Sequence, residues 1–297
     1  MRKIDYTLRG LAGILIAASG TAICFSGSIA GASNSGKQES VQSACSSVRA
    51  KYPSIAAQNY SVAIALEPGN AVVDPSSPKG YTGANPALTQ ALSQCLGFNY
   101  AFENLTFAGV IPSVEAGHTQ FALAGIYDTM AREREVAFVD FEKIKEEIIV
   151  KRGNPLHITT LRDLCGHSAS EATGYWTVTF LQQRSAQCVK SGRPPIRILQ
   201  FGNDTEAYQA LVSGRVEMHM DGGAGPAAFV ASHKGFQVGI GPIPGPYEGV
   251  VVNKKDVQLQ RALAAAFAVL QRIGTQVSIM RQWKLLSTTV EVSPKIT

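Results

Sequence analysis

The sequence predicts an α/β fold with mostly parallel sheets, and three observations lead to that prediction. Short β-branched segments alternate with helix-periodic segments between residues 60 and 273. The chain has 297 residues, 45% of them hydrophobic and 16% charged, which is enough to bury a sizeable core. Its 28 glycines and 14 prolines are ordinary usage and exclude collagen-like or low-complexity proteins. The net charge of +5 comes from scattered residues without a basic cluster, so we expect no nucleic-acid partner.

The first half of the chain begins the alternation. Alternating β-branched residues predict a strand at 60–66. Pro86 suits the first turn of a helix that ends at Gly97 and carries Leu88 and Leu92 on one face. Further strands are predicted at 98–102, 121–126 and 147–150, and further helices at 108–115 and 160–165.

The second half repeats the pattern. Asn203, followed three residues later by Glu206, resembles a capping box at the start of a helix. The last helix has apolar residues on one face and ends at Gly274. Helices are predicted at 177–187, 205–212 and 257–273, and strands at 196–200, 216–220 and 247–253.

The N-terminus has the pattern of a signal peptide. Basic residues occur among the first nine, an apolar run of about 15 residues follows at 11–25, and Ala30-Gly31-Ala32 precedes Ser33. A membrane anchor is the alternative, but a span needs roughly 20 apolar residues, so the shorter run favours a cleaved leader. We therefore expect cleavage near Ala32, removal of residues 1–32 and export of a soluble product to the periplasm.

The cysteines predict disulfide bonds. Cys24 leaves with the leader, and the four that remain are an even number in an exported chain, which allows three pairings. Cys165 and Cys188 lie on either side of one predicted helix, so we pair them, and Cys45 with Cys95 by elimination. No close cysteine pairs or histidine partners suggest zinc instead.

The chain carries no familiar catalytic, nucleotide or metal motif. Nucleophile elbows, zinc-protease helices, phosphate loops and dinucleotide fingerprints do not occur, and the five histidines are dispersed. We therefore expect no metal and no cofactor, and the pattern favours a binding protein over an enzyme.

From about Cys45 to the C-terminus, a series of short segments resembles one known family. Each segment alone is weak, but their order and spacing together are specific. The sequence resembles the bacterial periplasmic solute-binding proteins of polar-amino-acid ABC transporters, family 3. The matching segments are FAGVIP (107–112), AGIYDTMARER (124–134), VAFVDF (136–141), VKRGNP (150–155), DLCG (163–166), ALVSGRVE (210–217) and GT with QW near the end (274–283).

The resemblance implies a two-lobed periplasmic-binding-protein fold of type II, with two mixed sheets joined by two hinge strands. Lobe 1 would comprise residues 33–143 and 247–297, and lobe 2 residues 147–243. Such a protein is a monomer that captures a polar amino acid, or a derivative of one, by hinge closure. It delivers the ligand to an ABC permease in the inner membrane.

The resemblance also implies which residues hold the two charged groups of an amino acid. Arg132 aligns with the arginine that holds the α-carboxylate, as a guanidinium fork suits a carboxylate. Gly174 and Tyr175 precede a helix whose free N–H groups could hold the same carboxylate, or form an ordinary cap. Asp221 resembles the aspartate that binds the ammonium, although its spacing from Arg215 is one residue shorter than usual.

A second set of positions would contact the ligand side chain. Phe107 matches an aromatic residue that packs on the ligand, although core packing is its alternative role. Gly125 and Tyr127 lie where similar proteins line the cleft. Glu67 and Glu171 fall at positions that touch the ligand side chain, and two carboxylates there suit a cationic or amide-bearing ligand.

Two other functions are compatible with this resemblance. A periplasmic dehydratase of the cyclohexadienyl dehydratase type shares the architecture, and Glu171, Glu67 or His219 could serve as its general acid. A ligand sensor that docks on a receptor would bind its ligand by the same chemistry. Which amino acid is bound stays open at this stage.

Overall fold

The computed structural model describes residues 40–223, 225–285 and 289–297, and the predicted leader 1–32 with its cleavage site lies outside these ranges. The strands are β1 (Asn59–Ile64), β2 (Val72–Val73), β3 (Tyr81–Thr82), β4 (Asn99–Asn104), β5 (Phe121–Ala122), β6 (Ala137–Lys151), β7 (Ser168–Ala172), β8 (Arg197–Phe201), β9 (Met218–Gly222), β10 (Phe236–Val252) and β11 (Thr289–Ile296). The helices are α1 (Val41–Ala44), α2 (Ser46–Lys51), α3 (Ala84–Leu96), α4 (Phe107–Glu115), α5 (Trp176–Lys190), α6 (Asp204–Val212), α7 (Gly225–Ser232), α8 (Val257–Arg272) and α9 (Thr275–Gln282), with a 3₁₀ turn at Arg132–Arg134.

Two long strands, β6 and β10, connect the two halves of the sheet. Its order is β4-β1-β5-β10-β6-β9-β7-β8, with β11 added to β6. The pairs β1/β4, β1/β5, β7/β8 and β7/β9 are parallel, whereas β6 and β10 run antiparallel to each other. The two-lobed α/β fold with two hinge strands is therefore confirmed, but one continuous mixed sheet takes the place of the two sheets that were expected. We call the part built on β1, β4 and β5 lobe 1, and the part built on β7, β8 and β9 lobe 2.

Local sequence signals account for several helix ends. Gly97 ends α3 in the left-handed conformation, at φ 83°, which glycine adopts without steric cost. The predicted capping box is confirmed at α6, where the Asn203 side chain accepts a hydrogen bond from the Glu206 N–H and donates one to its carboxylate. At α8, the Asp256 carboxylate accepts from the Leu259 N–H.

The apolar faces of these elements meet in separate cores. In lobe 1, β1, β4, α3 and α8 enclose a cluster that includes Leu92, Phe121 and Phe267, and Phe267 stacks on Phe141 with ring centroids 4.5 Å apart. In lobe 2, β7, β9 and α5 enclose a second cluster around Met218. Each lobe therefore has its own hydrophobic core, and the hinge strands pass from one lobe to the other.

Some of the predicted helices and strands differ from those observed. Residues 160–165 form a turn and not a helix, because the Asp163 carboxylate accepts hydrogen bonds from the Thr159 and Thr160 N–H groups. Strand β5 is only two residues long, and β6 extends far beyond the predicted 147–150. Helices α7 and α9 and strand β11 were not predicted.

Within the described ranges, no single helix is long and apolar enough to cross a membrane. Helices α8 and α9 reach the required length and composition only as a pair, with a bend of 76° between them. Much of α8 is buried in the lobe 1 core.

Both predicted disulfide bonds form in the structure. Cys45 and Cys95 tie the N-terminal helices to α3, and Cys165 and Cys188 tie the turn at 160–166 to the last turns of α5. The first pair is completely buried. Each bond therefore closes a loop within one lobe and leaves the hinge strands free.

Replacing Cys165 and Cys188 with serine together should lower the free energy of unfolding by about 3 kcal/mol, because the cross-link restricts the unfolded chain. Denaturant unfolding of the oxidised variant and the oxidised wild type measures the difference. Reduction of the wild type with dithiothreitol breaks both disulfide bonds and should lower the free energy of unfolding further. An unchanged unfolding midpoint in the variant would contradict a stabilising role for this bond.

Candidate functional site

Polar side chains from both lobes meet where the parallel strands end. In lobe 1, Glu67, Phe107 and Tyr127 follow β1, β4 and β5, and in lobe 2, Tyr175 follows β7 and Asp221 lies at the end of β9. Ligands of open α/β sheets bind beyond the carboxyl ends of the strands, so this edge is the expected place for a site.

These residues enclose a cavity between the lobes. Lobe 1, lobe 2 and the hinge all contribute to its wall. Its lining residues are Glu67, Asn70, Phe107, Gly125, Tyr127, Arg132, Tyr175, Trp176, Thr177, Asp221, Gly222, Gly223 and Glu248. The geometry thus brings together seven of the nine residues predicted from the sequence to bind ligand. The other two are not in the lining: Gly174 is exposed, and Glu171 is buried behind it.

Arg132 bridges the lobes from the 3₁₀ turn. Its Nη1 donates to the Tyr127 carbonyl at 2.6 Å and its Nη2 to the Gly174 carbonyl of lobe 2 at 2.9 Å. The guanidinium also lies 5.6 Å from the centre of the Phe107 ring. Burial lowers the pKa of Arg132, but the group stays charged, because free arginine ionises far above neutral pH. Two bonds use two of its five donors, which leaves others for an anion.

Phe107 and Tyr175 make the second contact between the lobes. Their ring centroids are 4.4 Å apart at an angle of 51°. Phe107 begins α4, and Tyr175 is the residue before α5, so each ring is fixed by the start of a helix. The pair forms an apolar wall that keeps water from that side of the cavity.

Asp221 is the carboxylate of lobe 2 in this cavity. Its Oδ2 accepts a hydrogen bond from the Tyr208 hydroxyl at 2.6 Å, and its Oδ1 accepts one from the Gly222 N–H at 2.7 Å. Burial and the charge of Asp204 raise its pKa to about 7. Despite its unusual spacing from Arg215, Asp221 therefore faces the cavity.

Position 125 requires glycine for two reasons: its backbone has a positive φ, and the Glu67 side chain approaches it closely. Its φ is +66°, and a Cβ atom there would lie 3.0 Å from the Glu67 Oε2 atom. Two residues further along the chain, Tyr127 pairs with Glu248 of the hinge in an isolated antiparallel bridge. The loop after β5 thus carries Gly125, Tyr127 and Arg132 to one side of the cavity.

Glu67 and Glu248 are two further carboxylates in the lining, and both side chains are almost completely buried. Burial raises the pKa of Glu67 well above its usual value, and the nearby charge of Asp221 raises it further. Burial also raises the pKa of Glu248 to about 8. The cavity therefore holds three buried carboxyl groups and one guanidinium.

Glu171 lies behind the lining, and other groups of the protein supply the hydrogen bonds that its carboxyl oxygens accept. Its Oε2 accepts from the Thr177 hydroxyl and its Oε1 accepts from the Met220 N–H at 3.2 Å. Burial raises its pKa to about 8. Its carboxyl group therefore positions Thr177, which does line the cavity.

His219 belongs to a buried polar cluster one layer further back. Its Nδ1 lies 2.8 Å from the Ser170 carbonyl, and its Nε2 lies 3.4 Å from the Asp204 Oδ1. Burial opposes the charge of His219, but contact with Asp204 outweighs it and raises the pKa to about 9. Asp204, His219 and Asp221 could also offer atoms to a metal ion, as these lie within 4.8 Å of one another. The charged pair of His219 and Asp204 accounts for the arrangement without one.

Sequence reasoning missed Glu248, Asn70 and Thr177 as lining residues. A signal existed for Glu248, since it is a charged residue inside an apolar segment that was itself predicted to be a strand. Asn70 lies in a loop whose path depends on the bridge between Glu67 and Ala71. Thr177 lies in the first turn of a helix whose N–H groups were expected near the ligand, but its side chain was not predicted to line the cavity.

Known proteins resemble this chain along most of its length. The arginine-binding protein ArgT of Corynebacterium glutamicum is 27% identical over 206 residues, which cover 68% of this chain and 66% of that protein. The glutamine-binding protein GlnH of an ABC transporter in Bacillus subtilis is 23% identical over 183 residues, which cover 61% and 64%. The chain thus spans just under two thirds of the length of these two relatives.

Solved structures share the fold. An ancestral arginine-binding protein bound to glutamine has a TM-score of 0.67 at 26% identity, with 76% of this chain and 97% of that chain covered. The ancestral amino-acid-binding protein AncCDT-1, a precursor of cyclohexadienyl dehydratase, has a TM-score of 0.63 with 80% and 98% covered. At 22% identity, the second similarity shows the fold alone.

A family model matches residues 62–286, which include all of the cavity lining and both hinge strands. Its members are described as bacterial extracellular solute-binding proteins, family 3. The two named relatives are binding proteins. With the fold, the cleft between the lobes and this match taken together, the chain belongs to the bacterial extracellular solute-binding proteins of family 3.

Proposed function

We propose that the protein is a periplasmic receptor that captures a polar amino acid, or a close derivative, and delivers it to an ABC permease. One observation carries the proposal: a guanidinium and three carboxyl groups converge on a single cavity between two lobes. A free amino acid presents an anion and a cation on neighbouring atoms, and burial of either charge without a partner is very costly. A cavity with groups of both signs meets that requirement.

The assignment of groups follows from where each one lies. Arg132 keeps unused donors beside the start of α5, so it and the first N–H groups of that helix hold the α-carboxylate. Asp221, fixed by Tyr208 and Gly222, holds the α-ammonium. Phe107 and Tyr175 cover the ligand with apolar surface.

Closure of the two lobes is part of the proposed function. We assign lobe 1 to residues 33–143 and 247–297 and lobe 2 to residues 147–243. The bond from Arg132 to Gly174 and the contact of Phe107 with Tyr175 both join the lobes. Opening about β6 and β10 would separate these pairs and admit the ligand, and the closed form would be the one that docks on the permease. Cleavage of the leader near Ala32 places the monomeric product in the periplasm.

A dehydratase of the same fold is supported less well. Of the three candidate acids, Glu171 and His219 lie behind the cavity lining, and the Glu171 carboxyl group accepts hydrogen bonds from the protein itself. Glu67 alone reaches the cavity. A buried carboxyl group at the position of Glu67 can pair with a cationic group of a bound ligand as readily as it can act as a general acid.

Thermal unfolding in the presence of single amino acids tests the proposal. At least one polar amino acid should raise the unfolding temperature, because a ligand at 100 times its Kd adds about 2.7 kcal/mol to the free energy of unfolding. An apolar amino acid such as leucine should have little effect and is the control.

Two results would overturn this function. If none of the twenty amino acids or their basic derivatives shifts the unfolding curve, the ligand is not an amino acid. If prephenate is consumed during incubation and not retained, the protein is an enzyme of the dehydratase type. Native mass spectrometry of the purified mature protein would identify any ligand that copurifies.

A further inference from the structure

We propose that the ligand side chain is itself cationic, so that the ligand is a basic amino acid whose second positive charge is held by Glu67 and Glu248. This inference rests on the proposed function and names the substrate class of the same site. It follows from the balance of charges around the cavity.

Carboxyl groups outnumber basic groups in the lining. Among the described lining residues, the carboxyl groups belong to Glu67, Asp221 and Glu248, and the only basic side chain is Arg132. If Arg132 pairs with the α-carboxylate and Asp221 with the α-ammonium, both glutamates remain without a cation. Only the ligand side chain is left to supply one.

The protein offers these two glutamates little compensation of its own. Glu67 is 7% exposed and Glu248 is 5% exposed, so water cannot stabilise their charges. Three other carboxyl groups, those of Asp221, Asp204 and Glu248, lie near Glu67, and the compensating contact is a hydrogen bond with the uncharged Asn70 side chain. The buried cation His219 lies against Asp204, behind the lining. Placing Glu67 and Glu248 together is therefore unfavourable until a positive group enters between them.

The walls near these carboxyl groups also suit a cation. Tyr127 and Trp176 line the same cavity with ring centroids 6.2 Å apart, and aromatic faces attract guanidinium and ammonium groups. An amide side chain could donate one or two hydrogen bonds, but it would leave the like charges uncompensated. An acidic side chain would add to the repulsion.

Pairs of amino acids that differ only in this charge test the inference. L-arginine and L-citrulline have nearly the same shape, but citrulline carries a neutral urea group. L-lysine and L-norleucine provide a second pair. Titration calorimetry of the mature protein should show that the cationic member of at least one pair binds roughly 30-fold or more tightly, the lower end of the cost of unpairing a buried charge.

Variants then locate the charge. Glu67→Gln and Glu248→Gln keep the shape of each side chain and should each reduce the preference for arginine over citrulline at least roughly tenfold. The preference is the readout because it compares two ligands in the same variant, so a general change in the cavity cancels out. Glu147→Gln is the control, since Glu147 lies on hinge strand β6 but does not line the cavity. It should alter neither affinity.

The outcomes separate this inference from the proposed function. If neutral amino acids bind as tightly as their cationic partners, the side chain is not cationic, although the amino-acid receptor stands. An unchanged preference in both glutamine variants would also overturn the inference. If no amino acid binds at all, both the proposed function and this inference are wrong.

Discussion

Replacing Arg132 with alanine should weaken binding of the identified amino acid by roughly tens- to thousands-fold, or about 2–5 kcal/mol. The guanidinium faces the cavity from lobe 1 and is held in place by the carbonyls of Tyr127 and Gly174. Removing it leaves the α-carboxylate of the ligand desolvated and without its cation. It also removes a bond between the lobes, so the closed form loses a second stabilising contact. Titration calorimetry of the variant with the ligand of the wild type measures the loss.

Arg134 provides a matched control two positions away. Its side chain is exposed, and it does not line the cavity. Arg134→Ala should therefore bind the ligand with nearly the affinity of the wild type. Both variants should still fold, because neither side chain belongs to a hydrophobic core. The assignment of Arg132 is wrong if its alanine variant binds normally, or if Arg134→Ala proves the more damaging change.

The elements that could be predicted from the sequence are those whose signals are local. Helix α3 has an apolar face and a glycine stop, and α6 has a capping box, so each ends close to where it was expected. The lengths of β6 and β10 could not be predicted in this way. Each strand passes from one lobe to the other and exchanges partners on the way, and only the assembled sheet defines that path.

Strand β11 shows the same limitation more clearly. It pairs antiparallel with β6, across Ile144 and Lys143, although the two segments are far apart in the sequence. Polar and apolar residues alternate over 289–293, which favours a strand, but Pro294 inside the segment weakens that prediction. The pairing depends on the neighbouring strand and not on the propensity of the segment itself.

For the cavity, the resemblance to a family was more informative than the pattern of residues. Arg132 and Asp221 were expected through their alignment, and both lie in the lining. Glu171 was expected there too, but its carboxyl group faces Thr177 and Met220. Alternation along a strand decides which face a side chain occupies, and one sequence does not reveal which face of β7 opens on the cleft. Glu248 was missed for the same reason.

The unliganded protein should become more stable as the pH falls from 8 to 5, which is the opposite of the usual trend for salt-bridged carboxylates. Burial raises the pKa of Asp221 to about 7 and that of Glu171 and Glu248 to about 8. Between the usual pKa of such groups and these values, the folded protein holds protons that the unfolded chain releases, so stability falls as the pH rises. His219 acts in the same direction: its contact with Asp204 stabilises the fold below about pH 6.5, and that contribution is lost as the pH rises through about 9.

A pKa change of three units corresponds to about 4 kcal/mol, so even one such carboxyl group should raise the unfolding temperature by roughly 10 °C between pH 8 and pH 5. Calorimetric unfolding in buffers of equal ionic strength measures this directly. Glu248→Gln removes one of the groups and should make the dependence shallower. Saturating arginine should do the same, because a bound cation stabilises the ionised carboxylates at pH 8 and loses that partner when they are protonated. A melting temperature that stays constant or falls from pH 8 to pH 5 would mean that these carboxyl groups are ionised in the unliganded protein. The protein itself would then compensate the negative charges in the cavity. Glu67 and Glu248 would not need a cation from the ligand.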